Sequence, residues 1–285
     1  MINFNNFEYI VCNICGIDDT VKLLEYDAET VVKCRKCGLI YKNPRSPQKE
    51  FKKFFEAFSV ENEESFIFSK KYLFIKIINK IQKIKKKGRI LDIGCGNGYF
   101  LKIAKDFGWD VYGVEINPSA IKLAREKFGI QVEQKNLIEI KDEEFDVITL
   151  IDVLDFFMDP KKEIKEIKRI LKKDGILIVR VRNGLWHCNL GKYKKFFKFF
   201  GLYPSVVHLY SFTPKTLKKL LQNVGFSDIK ILNSSFTKGD PYKTGYKIVI
   251  IFAKFLVSFI SQILYFLSFK KICIAPSIMA YVKKN

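Results

Sequence analysis

The chain has 285 residues, 48% of them hydrophobic and 28% charged. That balance excludes a disordered chain, a collagen and a small disulfide-stapled scaffold. Lys and Arg number 50 against 30 Asp and Glu, a net charge of +20. The surplus is uneven: residues 91–180 carry 15 basic and 17 acidic side chains, and residues 181–285 carry 17 and 2. A basic last third suits an anionic partner, whether nucleic acid, an acidic membrane surface or a phosphate-bearing substrate, unless it reflects general Lys enrichment alone.

The N-terminus, MINFNNFEYIVC, lacks a basic segment followed by an apolar one, so no secretion signal is expected and a cytoplasmic place is. Short β-rich segments follow over 9–45 around two CxxC pairs, Cys12/Cys15 and Cys34/Cys37, with 18 residues between them. This is four-thiolate zinc spacing, and a glycine (Gly16, Gly38) trails each pair. Four protein ligands leave no open position, so the expected ion is structural Zn2+. The expected division is a zinc ribbon over 1–47, a helical linker over 48–87 with helices at 48–57 and 66–86, and one large domain over 88–285.

From residue 88 apolar runs alternate with amphipathic stretches. RILDIG, WDVYGVE, GIQVEQ, FDVITLI and GILIVRV read as strands, and 97–107, 118–128 and 160–172 as helices. Such alternation predicts an α/β fold with a parallel sheet covered by helices on both faces. Insertions are expected at 184–211, irregular with an aromatic–basic run over 192–200, and at 240–272. Thr213-Pro214 opens a helix that Gly225 stops, FSDIKIL is a strand, and SIMAYVKK closes the chain as a last strand.

Residues 246–269 form a long apolar segment in which Lys254, Ser258, Ser261, Tyr265 and Ser268 line one helical stripe. Its longest charge-free run, 255–269, is 15 residues. That is short of the ~20 needed to span a bilayer. Packing on the protein's own core or on a second copy, lying in a membrane interface, and spanning stay open.

The strand-to-helix turn Leu91-Asp92-Ile93-Gly94-Cys95-Gly96-Asn97-Gly98 carries the clearest chemistry. Its GxGxG spacing disfavours a dinucleotide pyrophosphate cradle, and Asp92 suits a cationic ligand better than a phosphate. Glu115, closing the next strand, can accept two hydrogen bonds from a ribose diol. Cys95 reads as a small packing residue.

LDIGCGNGYF, VYGVEINPSAIKLA, FDVITLIDVLDFFMDP and ILKKDGILIVRVRN resemble, in order and distance, the motifs of class I S-adenosylmethionine-dependent methyltransferases. The CxxCG…CxxCGLIYKNPRSP segment is similar to the zinc ribbon of a subset associated with glycan or secondary-metabolite methylation. The resemblance implies a Rossmann-like, seven-stranded, mostly parallel sheet and S-adenosylmethionine as cofactor. Asp92, Gly94, Gly96 and Gly98 would line the methionine end of the cofactor, with Cys95 and Asn97 of the same turn also counted among its binding residues. Glu115 would take the ribose, Ile116, Asn136 and Leu137 the adenine, and Asp152 and Val153 the floor. Asn136 stands where many relatives have Asp. Val153-Leu154-Asp155-Phe156 stands where relatives often read V-L-E-H, so the usual His is missing.

A hydroxyl acceptor would need a general base. His208 is the leading candidate, with Asp155 and Tyr210 behind it; a hydrogen-bonded structural role is the alternative for each histidine, His187 and His208. The expected activity is methyl transfer to a small-molecule, sugar or lipid-linked acceptor at oxygen or carbon, at the inner membrane face if the apolar segment docks there. The rivals are an RNA methyltransferase and a non-catalytic cofactor-binding scaffold. Nucleic acid is the less favoured partner because the basic charge accompanies a very apolar helix.

Overall fold

The computed structural model describes residues 7–26, 29–57, 64–192, 208–235, 237, 247–269 and 271–285. The aromatic–basic run from 193 onward lies outside them.

Eleven strands and eight helices follow in chain order among the described residues. The N-terminal part holds β1 (Thr20–Tyr26), β2 (Glu29–Cys34), β3 (Ile40–Lys42), α1 (Gln48–Glu56) and α2 (Glu64–Ile84). Alternation then gives β4 (Arg89–Ile93), α3 (Tyr99–Asp106), β5 (Asp110–Val114), α4 (Pro118–Phe128), β6 (Val132–Glu133), β7 (Phe145–Ile151), α5 (Pro160–Ile170) and β8 (Leu171–Arg182). The last part holds α6 (Gly184–Lys192), β9 (Tyr210–Ser211), α7 (Pro214–Asn223), β10 (Asp228–Asn233), α8 (Lys247–Leu267) and β11 (Ser277–Lys283).

The main sheet has seven strands in the order β10-β11-β8-β7-β4-β5-β6. Every pair from β8 to β6 is parallel, and β11 runs antiparallel between β8 and β10. This is the Rossmann-like sheet that the motifs imply. Its central strands read as near-continuous apolar runs because both faces are covered. The polar pair inside them, Asp92 and Thr149, is buried and bonded together, with Thr149 Oγ1 donating to Asp92 Oδ1 at 2.6 Å.

Local chemistry fixes the helix starts. Asn117 caps α4 by accepting from Ala120 N, and Asp159 caps α5 by accepting from Lys162 N. Thr213 and Thr216 form a capping box at α7.

The segment expected to be irregular after 184 instead opens with α6, and Asn183 begins it by accepting from Leu185 N. The strand expected over GIQVEQ shrinks to Val132–Glu133. The helix expected to reach 172 stops at Ile170, where β8 takes over.

A second, antiparallel sheet has the order β1-β2-β3-β9. Its fourth strand comes from a distant part of the chain: Tyr41 of β3 pairs with Tyr210 of β9. The cysteine-bearing segment is therefore hydrogen-bonded into the larger domain. Arg45 extends the join, donating from Nη1 to Met158 O at 2.7 Å and to Tyr210 Oη at 3.0 Å. Asn13 donates to Asp159 Oδ1, and Asn223 donates to Ile14 O.

Candidate active site

The turn after β4, the end of β5 and the end of β7 meet where the sheet order reverses. Parallel sheets leave their ligand crevice at such a point, outside the carboxyl ends of the strands. Gly94 sits there at φ +68°, and a Cβ on it would stand 2.5 Å from Val153 Cγ2. Two residues expected in the site are thus in contact, and only glycine fits between them. Gly96, at φ +53°, has open space where a Cβ would stand. That opening suits a ligand lying close over the backbone. Cys95 turns its thiol against Gly113, so its side chain packs rather than lining the cofactor as its place in the motif implied.

Glu115 ties this turn to β5. Its Oε2 accepts from Gly96 N at 2.8 Å, and its Oε1 accepts from Ile116 N at 2.7 Å and Asn117 N at 3.0 Å. With Oε1 accepting twice and Oε2 once, the acceptor capacity left for a ribose hydroxyl lies on Oε2. Ile116 is partly exposed, Leu137 is buried, and Asn136 donates its amide to Glu139 Oε1. Asn97 is buried and accepts from Tyr99 N at the start of α3. Burial raises Asp92 to about 7, and the nearby Glu115 charge adds to the effect, against Thr149 and Lys70. A carboxyl poised there responds readily to a cationic ligand. The turn, Glu115 and Asp92 therefore fit a cofactor bearing a ribose and a positive charge.

The other side of the crevice is assembled from five segments. Asp152, at φ +63°, is gripped by Lys70 Nζ from α2 at 2.9 Å and by Arg180 Nη1 from β8. Burial opposes its ionisation, but Arg180 and Lys70 hold it far below the usual carboxylate range. Asp155 is buried, with Oδ2 3.3 Å from Arg182 Nη2 and 4.0 Å from His208 Nε2. Its Oδ1 is buried without a hydrogen-bond partner among the described residues. Burial pushes Asp155 up to about 6; Arg182 opposes this and the Asp152 charge reinforces it. Phe156 lies over His208 at 3.8 Å between ring centroids, and Phe51 and Phe55 of α1 pack on Phe156 at 6.4 and 5.2 Å. The result is a carboxyl–imidazole pair beside an aromatic wall.

One expectation for a reactive side chain meets a different geometry. Tyr210 is buried, accepts from Arg45 and donates to Met158 O at 3.1 Å, and burial raises it to about 12. A phenol so engaged is a clamp between the two sheets rather than a proton acceptor. His187 has its Nε2 3.2 Å from Pro276 O, a structural contact. Sequence reasoning passed over Lys70, Arg180, Arg182 and the Phe51/Phe55/Phe156 wall. Lys70, Phe51 and Phe55 lie outside the quoted motifs, and Arg180, Arg182 and Phe156 lie within them at positions to which the resemblance assigns no role.

The four sulfurs of Cys12, Cys15, Cys34 and Cys37 lie within 4.8 Å of one another and could hold a metal ion. Cys12 and Cys37 are 3.3 Å apart and Cys15 and Cys34 3.6 Å apart, so the two CxxC turns interleave. Tetrahedral thiolates about 2.3 Å from an ion are separated by about 3.8 Å, so the set fits zinc.

This sheet, crevice and glycine turn define the S-adenosylmethionine-dependent methyltransferase fold. A crystal structure of such an enzyme from Thermotoga maritima superposes with a TM-score of 0.54 at 23% identity, covering 82% of this chain and all of that one. The family described as Methyltransferase domain matches residues 67–231, more than half of the chain. The chain belongs to that family and is a methyltransferase. An uncharacterized protein of Methanocaldococcus jannaschii is 33% identical over 172 residues, 57% of this chain and 77% of its own length. A ubiquinone biosynthesis O-methyltransferase of Actinobacillus pleuropneumoniae is 29% identical over 107 residues, 33% of this chain. The chain spans less than half of that enzyme's length, 46%.

Proposed function

We propose that this methyltransferase moves the methyl group of S-adenosylmethionine to a hydroxyl of a small or carrier-linked acceptor such as a sugar, with His208 as general base and Asp155 as the group that orients it. The observation that carries this reading is the Asp155–His208 approach at 4.0 Å beside the glycine turn. The bound cofactor supplies an electrophilic methyl group on a sulfonium. Asp92 and Glu115 hold its cationic and ribose ends. Phe51, Phe55 and Phe156 exclude water from one side of the acceptor. His208 accepts the hydroxyl proton as the new C–O bond forms, and Asp155, ionised beside Arg182, favours the imidazolium that results. Fixing acceptor and donor near attack distance supplies most of the acceleration in such a displacement. The O-methyltransferase relative is consistent with an oxygen acceptor.

A structural zinc ion on Cys12, Cys15, Cys34 and Cys37 completes the reading. Through β3 and Arg45 it steadies β9, two residues beyond His208.

The test is methyl-labelled cofactor, purified protein and a cell extract, followed by fractionation of the label. Label in a glycan or organic-soluble fraction, lost in His208→Ala, is expected. Label in an RNase-sensitive fraction would overturn the acceptor class.

A further inference from the structure

Helix α8 presents its amphipathic character inside out. The stripe of small polar residues faces the protein: Ser261 and Tyr265 are buried, and Ser261 O accepts from Asn233 Nδ2 of β10 at 2.9 Å. The opposite face is apolar and open. Phe252, Phe255, Phe259, Ile263 and Phe266 are 65%, 50%, 54%, 42% and 65% exposed, and Phe269 beyond the helix is 86% exposed. With Leu256, Ile260, Leu264 and Leu267 also exposed, the exposed positions span roughly half of the helix circumference at about 100° per residue. From Phe252 to Leu267 the helical face is about 22 Å long at 1.5 Å per residue. Apolar patches of this extent mark interaction surfaces.

Charge decides what covers it. No charged residue lies between Phe255 and Phe269, and Lys270 and Lys271 follow directly. Across residues 181–285 there are 17 Lys and Arg against 2 Asp and Glu. A second copy would set the basic sequence flanks of one apolar face against those of another, whereas an anionic bilayer offers an apolar interior beneath a negative surface. Exposed Phe side chains with Lys at the edge suit the head-group boundary. Among the described residues no helix is long and apolar enough to cross a membrane, so the fitting geometry is a helix lying in the interface plane.

We infer that α8 is a peripheral membrane dock that seats its Phe252–Phe269 face in the head-group region of an anionic bilayer. The dock stands apart from the Asp155–His208 reading, so either can fail without the other.

The test uses the full chain with its metal and two vesicle preparations, phosphatidylcholine alone and phosphatidylcholine with roughly 30 mol% phosphatidylglycerol. The expected result is flotation with the mixed vesicles only, weakening as salt rises. The triple variant Phe255→Ser, Phe259→Ser, Phe266→Ser changes exposed positions, and its cofactor affinity serves as the control for folding. It should lose at least about tenfold in vesicle affinity, as expected when three buried aromatic rings are removed from an interface. Hydrogen exchange on the parent provides a measurement without mutation, with vesicle-dependent protection expected over 252–269. The inference is overturned if the parent ignores the mixed vesicles, if the folded triple variant floats like the parent, or if 252–269 gains no protection. It is also overturned if light scattering shows a parent dimer that the triple variant converts to monomer, since the face would then belong to a second copy.

Discussion

The two sides of the crevice are built by different rules. The cofactor side draws chiefly on residues 92–117, where Glu115 reaches back to Gly96, with Asp92 resting on Thr149 of β7 beside it. The opposite side, proposed to take the acceptor, gathers Phe51, Lys70, Asp155, Arg182 and His208 from separate parts of the chain. One side is a local motif repeated across a fold; the other is a meeting of distant segments that each chain can remake. The contrast explains why family membership follows readily while the acceptor remains a proposal.

Breaking the long-range side at its support should have the largest effect. Chelation of the metal, or Cys37→Ser, is expected to melt β1, β2 and β3 and release β9, because ion binding in such sites is folding energy on the order of 10 kcal/mol. Metal analysis should find about one zinc per chain in the parent, and circular dichroism should show the loss on chelation.

His208→Ala comes next, with kcat reduced by about 10²–10⁴ and cofactor affinity kept. A pH profile sharpens this prediction. Asp155 is raised to about 6, and the orienting form is the ionised one, so kcat should fall as pH drops through that value. Asp155→Asn should lower kcat and shift that limb of the profile, whereas a merely structural Asp155 would leave it in place.

On the local side, Glu115→Ala should weaken cofactor binding by about 1–3 kcal/mol, since it strands buried partners. Calorimetry checks it, and unchanged affinity would mean that the ribose lies elsewhere.

The smallest effect is the pH dependence of cofactor binding itself. Asp92 is raised to about 7, so it is increasingly protonated below neutrality, and a cationic ligand prefers its carboxylate. Cofactor affinity should rise between pH 6 and 8 by up to about tenfold, and Asp92→Asn should bind more weakly with a flat profile. The same shift has a stability consequence of opposite sense. The unfolded carboxyl, near 3.8, binds fewer protons than the folded one through this window, so the contribution of Asp92 to stability declines from pH 4 towards 7.

Much of the fold was legible because its signals are local. Alternating strands and helices and the Thr213–Pro214 start depend on neighbours within a few residues. The CxxC spacing likewise brings two sulfurs together within one turn. Misreadings fell where periodicity is weak. The sequence of α6 has no strong apolar stripe, and β6 is two residues long. Tyr210 misled because its place near His208 in sequence says nothing of Arg45, 165 residues away.

The sequence by itself determined the class of fold, the glycine turn with its carboxylates and the four-sulfur set, since each is written in residues close along the chain. Tertiary structure decided that Asp155 meets His208, that Lys70 grips Asp152, that the cysteine-bearing sheet takes its last strand from β9, and that α8 turns its phenylalanines outward. Those outcomes depend on which surfaces of distant elements pack together. No local pattern encodes that choice, because an apolar stripe says that a face will be covered without saying by what.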